Sequence, residues 1–542
     1  MAWTSSALAC IKAGVNDINI ASSVIGECLA KGVREFVVCS GARNIPLISA
    51  LIKCEDVVVW SHFEERAAGF YALGRMMDTR EPCAVITTSG TAVAELLPAV
   101  VECHYQGRPL LVISADRPSE YRGSGAPQAI EQVGMFGGYV GGCEDVEGSV
   151  SGLFDGWNGK IPWHLNVCLG EDLEGEVEAG MNQEIGEWIP EREKINVTDF
   201  VRFFDDVWKG VIVCVGGLEP EDRADVFHLL KTLKVPVIAD PTSGLRELLG
   251  DLCLTDSDRI LQHAQVGKIL RIGDIPVGRF WRDLENISQV EVLNLSRTGF
   301  SGLARKSETI TGSISRIIKG AGEMSEVGDV TDLLKGNGRR AAQIDELLES
   351  YPDSEASFVR MTSIYATMAE SIYLGNSLPI REWGLFAQRD KETPHELVRA
   401  NRGANGIDGQ LATWAGWTHG IHDAWIFLGD LTALYDLSAP SLLHDCEAEG
   451  RVIVVMNNGG GRIFDRLPRV QNMDDAQKGI IANEHAFNFE SWAMMWGWDY
   501  QRVDNVDELE IEAGVAPLVV ELVPCEKQTK AFWEAYDRLF KS

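Results

Sequence analysis

Long apolar runs, paired cysteines and basic stretches are all missing from this chain, and each absence excludes a class of protein. None of its apolar runs approaches the ~20 residues that cross a bilayer, and segment 1–14 lacks the apolar core of a signal peptide. The 12 cysteines form no C-x-x-C pair, so we expect no zinc, no disulfides and a reducing, cytoplasmic compartment. A net charge of −31 without basic patches argues against a nucleic-acid or membrane partner.

A complete dinucleotide-binding motif is also missing. Gly216-Gly217 follows an apolar run, but the G-x-G-x-x-G spacing is absent, so we expect no bound dinucleotide. In so acidic a chain, arginines that lie among Gly and Asn residues in loops are suited to bind anionic substrates. A surface ion pair is the plainer interpretation of any one of these arginines.

What the chain does contain is a regular alternation of short apolar runs and helical stretches. This alternation is typical of parallel sheets that carry helices on both faces. With 542 residues, 45% of them apolar, the chain is long enough for several domains. We therefore predict an α/β fold of three doubly wound parallel-sheet domains at 1–180, 190–335 and 350–542, the first and third being a pseudo-repeated pair.

The individual elements follow from the same runs. Strands are predicted at 36–39, 57–60, 83–87, 110–113, 211–215, 235–239, 269–272, 291–294, 425–428, 452–456 and 517–522, and helices at 65–77 and 92–103. Polar stretches at 174–198 and 325–357 separate the domains, and the second contains the acidic, helix-like segment 339–349.

Two polar motifs each follow an apolar run in the last domain. Gly429-Asp430-Leu431-Thr432 ends one run, and Asn457-Asn458-Gly459-Gly460-Gly461 ends the next. The carboxyl ends of neighbouring parallel strands meet at one edge of a sheet, where such folds bind ligands. Oxygen ligands suit Mg²⁺ bound to phosphate, and glycine-rich turns let backbone N–H groups approach the phosphates. Either motif alone is more often a strand-to-turn junction, but together they predict a diphosphate-plus-metal site.

The two motifs together resemble the thiamine-diphosphate (ThDP) binding motif, which begins with Gly-Asp and ends with Asn-Asn. Further segments resemble one family in particular, the 2-succinyl-5-enolpyruvyl-6-hydroxy-3-cyclohexene-1-carboxylate synthases of menaquinone biosynthesis. These segments are 62–66, 88–94, 114–118, 401–409 and 431–436. The resemblance covers the first and third units, and the middle unit is similar to the family only in layout.

The resemblance implies ThDP and Mg²⁺ as cofactors, with Mn²⁺ as a substitute ion. It implies that Glu65 activates the aminopyrimidine ring of ThDP, although acidic residues are also favoured in any first helical turn. Ile407 would hold the cofactor in its bent form, and the other implied cofactor contacts are Gly429, Asp430, Leu431 and Thr432.

The resemblance also implies a set of metal ligands, namely Asp430, Asn458 and the carbonyl of Gly460. One choice stays open. Counting back from Ile463-Phe464 selects Asn458, whereas counting forward from Asp430 selects Asn457, and we prefer Asn458.

The implied reaction is the decarboxylation of 2-oxoglutarate and the addition of its succinyl unit to isochorismate. Both substrates are dicarboxylates, and guanidinium groups bind carboxylates in bidentate fashion. Arg381 and Arg402 match the family best, and a structural role is an alternative for Arg117. The implied substrate-binding residues are Arg43, Arg117, Gln128, Arg279, Ser377, Arg381, Arg402, Ile463 and Phe464, of which Arg43 and Gln128 join Glu65 as implied catalytic residues.

The sequence departs from the usual family pattern at several positions. Ala42 and Asn44 stand where the family has serine, Pro127 stands where it has asparagine, and Phe280 follows Arg279, near which a lysine is usual. Each change is expected to remove or move a polar contact, so the cofactor is better defined than the substrates. In the family the two halves of one site come from different subunits, which implies a homodimer at least and commonly a homotetramer.

Two alternative functions stay open on the sequence. Another ThDP-dependent decarboxylase or carboligase, acting on pyruvate-like acids, needs fewer arginines because such substrates carry a single carboxylate. A silent relative that binds the cofactor without turnover has no need to retain Glu65, Asp430 and Asn458 together.

Overall fold

A computed structural model describes residues 16–148, 150–170, 186–189, 195–206, 210–256, 258, 266–444, 446 and 449–539. Segment 1–14 and most of the predicted linker at 174–198 lie outside the described residues. The chain divides into two compact units, residues 1–191 (unit 1) and 192–542 (unit 2). Among the described residues, no helix has the length and apolar character needed to cross a membrane.

Unit 1 contains one parallel sheet of six strands in the order β2-β1-β3-β4-β6-β5. The strands are β1 Glu35–Cys39, β2 Val58–His62, β3 Cys83–Thr87, β4 Leu111–Asp116, β5 Cys143–Val146 and β6 Trp163–Cys168. The helices are α1 Asp17–Ala30, α2 Ile45–Leu51, α3 Glu65–Thr79, α4 Thr91–Glu95 and α5 Leu97–Gln106. The prediction of one helix over 92–103 is wrong in one respect, because the structure has two helices there, α4 and α5. The division falls just before Pro98, since a proline in a helix interior clashes with the preceding turn.

Unit 2 contains two parallel sheets, one of five strands in the order β11-β10-β9-β7-β8 and one of six in the order β13-β12-β14-β15-β17-β16. The strands of the first are β7 Val211–Val215, β8 Val237–Ala239, β9 Lys268–Ile272, β10 Glu291–Ser296 and β11 Glu308–Thr311. Those of the second are β12 Ser371–Leu374, β13 Val398–Arg399, β14 Ala424–Gly429, β15 Val452–Met456, β16 Asp499–Val503 and β17 Leu518–Leu522.

The helices of unit 2 surround these two sheets. They are α6 Thr198–Phe203, α7 Pro220–Leu233, α8 Arg279–Asp283, α9 Ile314–Ala321, α10 Asn337–Ser350, α11 Glu355–Tyr365, α12 Leu378–Phe386, α13 Gln410–Trp417, α14 Asp430–Tyr435, α15 Pro468–Gln471, α16 Asp475–Ala482, α17 Glu490–Met495 and α18 Glu526–Leu539. The acidic segment predicted to be helical at 339–349 lies inside α10.

The strand orders confirm the predicted fold class. All three sheets pair their strands in parallel, as buried sheets between helix layers do. When the strands of each six-stranded sheet are numbered from its own first strand, both sheets have the order 2-1-3-4-6-5. The first and third sheets are therefore a repeated pair, as predicted.

Buried arginines join the two sheets of unit 2. The guanidinium of Arg246 donates to the carbonyl oxygens of Trp383 over 2.6 Å and Gln388 over 2.7 Å. In the opposite direction, Arg389 donates to the carbonyl oxygen of Leu254 over 3.2 Å. Guanidinium groups that satisfy several carbonyls at once hold both sheets in one compact unit.

Candidate active site

The residues predicted for the site in unit 2 follow the carboxyl ends of neighbouring strands in its six-stranded sheet. Ser377 follows β12, Arg402 follows β13, Asp430 follows β14, and Asn457 follows β15. Gly429 and Met456 are paired across β14 and β15, so the residues that come after them leave the sheet side by side. This is the edge at which parallel α/β sheets bind ligands.

Asp430 is the first residue of α14 and is only 2% exposed. Its Oδ1 accepts a hydrogen bond from the N–H of Leu431 over 2.6 Å, and its Oδ2 accepts one from the N–H of Gly460 over 2.8 Å. Burial raises the pKa of the Asp430 carboxyl. The Asp430 side chain thus binds the glycine-rich turn after β15, so the Gly-Asp motif and the Asn-Asn motif are in contact.

The two asparagines after β15 have different surroundings. Asn457 donates through Nδ2 to Glu521 and to the carbonyl of Phe487, both over 2.8 Å, and its Oδ1 accepts from the N–H of Gly459 over 3.3 Å. Asn458 donates through Nδ2 to Glu355, but its Oδ1 is buried without a hydrogen-bond partner among the described residues. A buried amide oxygen without a donor is costly unless a ligand or ion satisfies it.

These residues fit a hard divalent cation. A buried carboxylate on Asp430 and the unsatisfied oxygen of Asn458 are the ligand types that Mg²⁺ prefers, and these residues would hold such an ion. Gly460 has φ +136°, and a Cβ there would lie 2.5 Å from the carbonyl oxygen of Ala482, so only glycine fits the turn. Within the described ranges no group of three His, Cys, Asp or Glu side chains could hold a metal.

Asn376 connects the two arginine-bearing segments, and sequence analysis missed it. Its Nδ2 donates to the carbonyl oxygens of Asn401 and Gly406, both over 2.8 Å, and its Oδ1 accepts from Arg402 over 2.9 Å. The hydrogen bonds hold the loop at 401–409 beside the start of α12. Its position directly before Ser377, after the short apolar run at 371–374, is the signal that could have identified it.

The 401–409 loop also lies against the end of α14. The Asp436 carboxylate accepts from the N–H groups of Gly409 and Leu411, over 2.8 and 3.0 Å. Ile407 is half-buried in this loop. The segment that begins at Asp430 therefore positions the loop that carries Ile407.

Arg381 lines a pocket between the two sheets of unit 2, and Ser377, the N-cap of the same helix, lies one turn before it. Ser377 has φ +76°, which is unusual for a non-glycine residue and typical of strained functional positions. Its carbonyl oxygen accepts a hydrogen bond from Arg381. The residues that line the pocket include Asp240, Asp258, Val277, Arg381 and Leu385.

Charges of both signs meet in this pocket. Burial, together with the positive charges of Arg402 and Arg282, lowers the pKa of Arg381 to about 10. Burial raises the pKa of Asp240 to about 7, even though its carboxyl accepts from the N–H of Val277 over 2.8 Å and lies near Arg402. A pocket that crowds cations in this way is suited to an anionic ligand, which would relieve their repulsion.

Arg279 is more exposed than the other predicted arginines. It begins α8, its side chain is 64% exposed, and its Nε lies 3.5 Å from the Asp283 carboxylate. Phe280 and Trp281, which follow it, are buried in the core beside the five-stranded sheet. At Phe280 the departure from the family pattern places an apolar side chain in the core.

Ile463 and Phe464 lie in a short 3₁₀ turn at Arg462–Phe464, directly after the glycine-rich turn. Leu431 and Thr432 lie in the first turn of α14. These residues flank Asp430 and Asn458 along the same edge of the sheet.

In unit 1, Glu64 and Glu65 have separate roles. Glu64 is the N-cap of α3, and its carboxylate accepts from the N–H groups of Arg66 and Ala67, over 3.1 and 3.3 Å. Glu65 is the first helical residue and is half-buried, and burial raises the pKa of its carboxyl. Because Glu64 is engaged in capping, Glu65 is the carboxyl group suited to hydrogen bond a ligand.

The Gly41-to-Asn44 turn after β1 packs against Thr88 after β3. A Cβ at Gly41 would lie 2.5 Å from the Thr88 Cβ, so the close approach requires glycine. The Asn44 side chain accepts from the N–H of Gly41 over 2.9 Å and donates to the Cys39 carbonyl over 2.8 Å. Arg43 donates to the carbonyl oxygens that follow β6, at Leu169 over 3.1 Å and Gly170 over 2.6 Å.

Gln128 lies over the Gly90 turn. It has φ +56°, and its Nε2 donates to the carbonyl of Ser89 over 3.4 Å. The N–H of Gly90 donates to the buried side chain of Gln132 over 2.9 Å. Arg117, after β4, donates to the Pro127 carbonyl over 3.1 Å. The carboxyl edge of this sheet thus brings together most of the residues predicted for unit 1.

Comparison with known proteins agrees with this geometry. Residues 18–135 match the family described as thiamine pyrophosphate enzyme, N-terminal TPP binding domain. The 2-succinyl-5-enolpyruvyl-6-hydroxy-3-cyclohexene-1-carboxylate synthase of Akkermansia muciniphila is 43% identical over 516 residues, which cover 94% of this chain and 96% of that protein. The protein of the same name from Bdellovibrio bacteriovorus is 40% identical over 539 residues, 97% of this chain and 100% of that protein.

A third relative with this name, from Halorhodospira halophila, is 30% identical over 526 residues, 90% of this chain and 91% of that protein. The similarity therefore extends across both units and all three sheets. The chain belongs to the 2-succinyl-5-enolpyruvyl-6-hydroxy-3-cyclohexene-1-carboxylate synthase family of thiamine-diphosphate-dependent enzymes.

Proposed function

We propose that the protein decarboxylates 2-oxoglutarate and transfers the succinyl unit to isochorismate, releasing CO₂ and forming 2-succinyl-5-enolpyruvyl-6-hydroxy-3-cyclohexene-1-carboxylate for menaquinone biosynthesis. The observation that carries this proposal is that Arg381 and Arg402 lie close enough for the charge of one to act on the other, with Arg402 held by Asn376 directly before Ser377. Two crowded guanidinium groups suit dicarboxylate substrates, because each guanidinium can bind one carboxylate.

Asp430, Asn458 and the Gly460 carbonyl are the proposed ligands of Mg²⁺, for which Mn²⁺ can substitute. Support comes from the buried Asp430 carboxylate and the unsatisfied Asn458 oxygen. When bound, ThDP supplies the electron sink that stabilises the carbanion left by decarboxylation. Glu64 caps the helix that Glu65 begins, so the Glu65 carboxyl is not needed for capping. We propose that Glu65 hydrogen bonds the pyrimidine ring.

Substrate carboxylates are proposed to bind Arg381 and Arg402, with Ser377 as a neutral partner. The remaining substrate and cofactor contacts are proposed from the family resemblance. Support for Arg279 is weaker, because its side chain is exposed and paired with Asp283. The other proposed contacts are Arg43, Arg117, Gln128, Ile463 and Phe464 for substrate and Ile407, Gly429, Leu431 and Thr432 for cofactor.

A homodimer is the proposed minimal active form, with a homotetramer as the common assembly, in the cytoplasm. Support comes from apolar side chains that are exposed beside Glu65, namely Val58, Val59 and Phe63, since such patches mark interaction surfaces. Sedimentation analysis at several concentrations tests the assembly. We also propose 1–180, 190–335 and 350–542 as the domain boundaries.

The decisive experiment is an assay with ThDP and Mg²⁺ in which 2-oxoglutarate is compared with pyruvate, each with and without isochorismate. We expect CO₂ release from 2-oxoglutarate and formation of the succinyl adduct only when isochorismate is present. Preference for pyruvate would identify a different carboligase, and cofactor binding without turnover would identify a silent relative.

A further inference from the structure

The side-chain amide of Asn458 has a defined orientation, and Glu355 determines it. The Nδ2 atom of Asn458 donates to both carboxylate oxygens of Glu355, over 3.0 and 3.2 Å. A carboxylate only accepts hydrogen bonds, so the nitrogen end of the amide faces Glu355 and the oxygen end faces away. That oxygen is the buried atom without a partner among the described residues.

Glu355 is held firmly enough to impose this orientation. It is 3% exposed and is the first residue of α11, whose N-cap is Ser354. Its backbone N–H donates to Thr529 in α18 over 3.0 Å. On the other side of the turn, Arg462 donates to the backbone carbonyl of Asn458 over 3.2 Å. Both the side chain and the backbone of Asn458 are therefore fixed from neighbouring elements.

Asn457 provides an internal comparison, because it also donates to a buried carboxylate. Its Nδ2 lies 2.8 Å from Glu521 Oε1. Its oxygen, however, is already used by the N–H of Gly459. The two Asn–Glu pairs thus have the same chemistry, but only the Glu355–Asn458 pair leaves an oxygen available to a ligand.

We propose that Glu355 is a positioning residue for the divalent cation: it does not touch the ion, but it turns the Asn458 oxygen toward it. The inference rests on the proposed function, because it takes Asn458 as a metal ligand. It deepens that function by naming the residue that selects Asn458 and not Asn457. Outer partners of metal ligands commonly contribute about 10- to 100-fold in metal affinity.

The test is a double-mutant cycle on cation affinity, read from the electron paramagnetic resonance signal of free Mn²⁺ in the presence of ThDP. Glu355→Gln introduces an amide that can donate to the Asn458 oxygen, so the Asn458 amide can turn its nitrogen toward the ion. We expect the Mn²⁺ dissociation constant to rise about 10- to 100-fold in E355Q. In an Asn458→Ala background the same substitution should change it by less than about threefold, because nothing remains to be oriented.

Glu521→Gln is the matched control, since it removes an equally buried carboxylate from the neighbouring asparagine. Its Mn²⁺ affinity should stay within about threefold of the wild type. The proposal is overturned if E355Q binds Mn²⁺ as the wild type does, if E355Q costs as much with Ala at position 458, or if E521Q costs as much as E355Q. The last two results would mean that Mn²⁺ binding is weakened by the lost negative charge and not by a change in the amide orientation.

The unfolding temperature of each metal-free variant verifies that the fold is intact. If E355Q does not fold, the cycle is run with Glu355→Asp, whose shorter side chain weakens the same hydrogen bond; its loss of affinity must likewise vanish in the Asn458→Ala background. Failure of the proposed function looks different. In that case the wild type binds Mn²⁺ and ThDP and the cycle shows coupling, but 2-oxoglutarate is not decarboxylated.

Discussion

Replacing Arg381 by glutamine is expected to stabilise the protein while removing most of its activity. Burial and the charges of Arg402 and Arg282 lower the pKa of Arg381 from 12.5 to about 10. A shift of this size corresponds to an upper bound of roughly 3 kcal/mol of unfavourable charge energy in the folded state. The lost hydrogen bond to Ser377 and lost packing offset part of this, so we expect a net gain of about 1 kcal/mol in the free energy of unfolding.

The same substitution should greatly lower turnover of 2-oxoglutarate. A substrate carboxylate that loses one guanidinium partner in a desolvated pocket loses roughly 2–5 kcal/mol, or about 30- to 5,000-fold in kcat/KM. Affinity for ThDP should stay close to wild type, because Arg381 lies in the pocket and not at the Asp430 turn. Urea unfolding, steady-state kinetics and a ThDP titration measure the three quantities on one preparation.

Arg246→Gln is the control for a buried arginine without a proposed substrate role. Arg246 donates to the Trp383 and Gln388 carbonyls and pairs with Glu247, and the substitution would remove these interactions. We expect it to destabilise the protein by roughly 3–5 kcal/mol. If R381Q destabilises the protein as much as R246Q does, or leaves 2-oxoglutarate kinetics unchanged, the reasoning about the pocket is refuted.

Three further predictions concern the cofactor site and the pocket. Glu65→Gln should still bind ThDP but exchange the C2 proton of the cofactor about 10²–10⁴-fold more slowly by NMR, and exchange at the wild-type rate would exclude Glu65 from that role. Asp430→Ala should abolish Mg²⁺-dependent ThDP binding in calorimetry, and Asn458→Ala should weaken it much more than Asn457→Ala does; the reverse order of the asparagines would exchange their roles. Because burial raises the folded-state pKa of Asp240 from 3.8 to about 7, the folded state binds the proton more tightly than the unfolded chain, and stability falls as pH rises between these values. Asp240→Asn should remove this decline, so its unfolding free energy should exceed that of wild type increasingly with pH, by up to roughly 4 kcal/mol above pH 7, and parallel pH profiles would contradict it.

Sequence patterns predicted the strands that are covered on both faces and missed most of those at sheet edges. β3, β7 and β15 are buried at every residue and appear in the sequence as continuous apolar runs. β5 and β16 are edge strands whose outer residues reach solvent, so their sequences are mixed and gave no signal. A continuous apolar run indicates a strand that is buried on both faces. An edge strand can be partly exposed and therefore need not contain such a run.

Two interior strands were missed for other reasons. β6 is buried throughout but contains His164 and Asn166, which hydrogen bond to Ser114 and to other polar groups of the sheet. β12 is only four residues long. Polar residues inside a strand are recognisable only once their partners are known, because the pairing lies in distant parts of the chain.

For the site, sequence could place the motifs at the sheet edge but could not choose between the two asparagines. Asn457 and Asn458 are adjacent and chemically identical, and what separates them is which distant groups their amides meet. Glu355 lies 103 positions away from Asn458 in the chain. Such contacts are products of the fold, and no local pattern contains them.

The departures from the family pattern now bear unequally on substrate choice. Asn44 closes its own turn through the Gly41 N–H and the Cys39 carbonyl, so it supports the local backbone. Phe280 is a core residue. Pro127, in contrast, contributes a backbone carbonyl to Arg117 but has neither an N–H nor a side-chain amide to offer a substrate. Of these three departures, Pro127 is therefore the one suited to alter acceptor preference, and Pro127→Asn is the substitution that we expect to reduce such a difference.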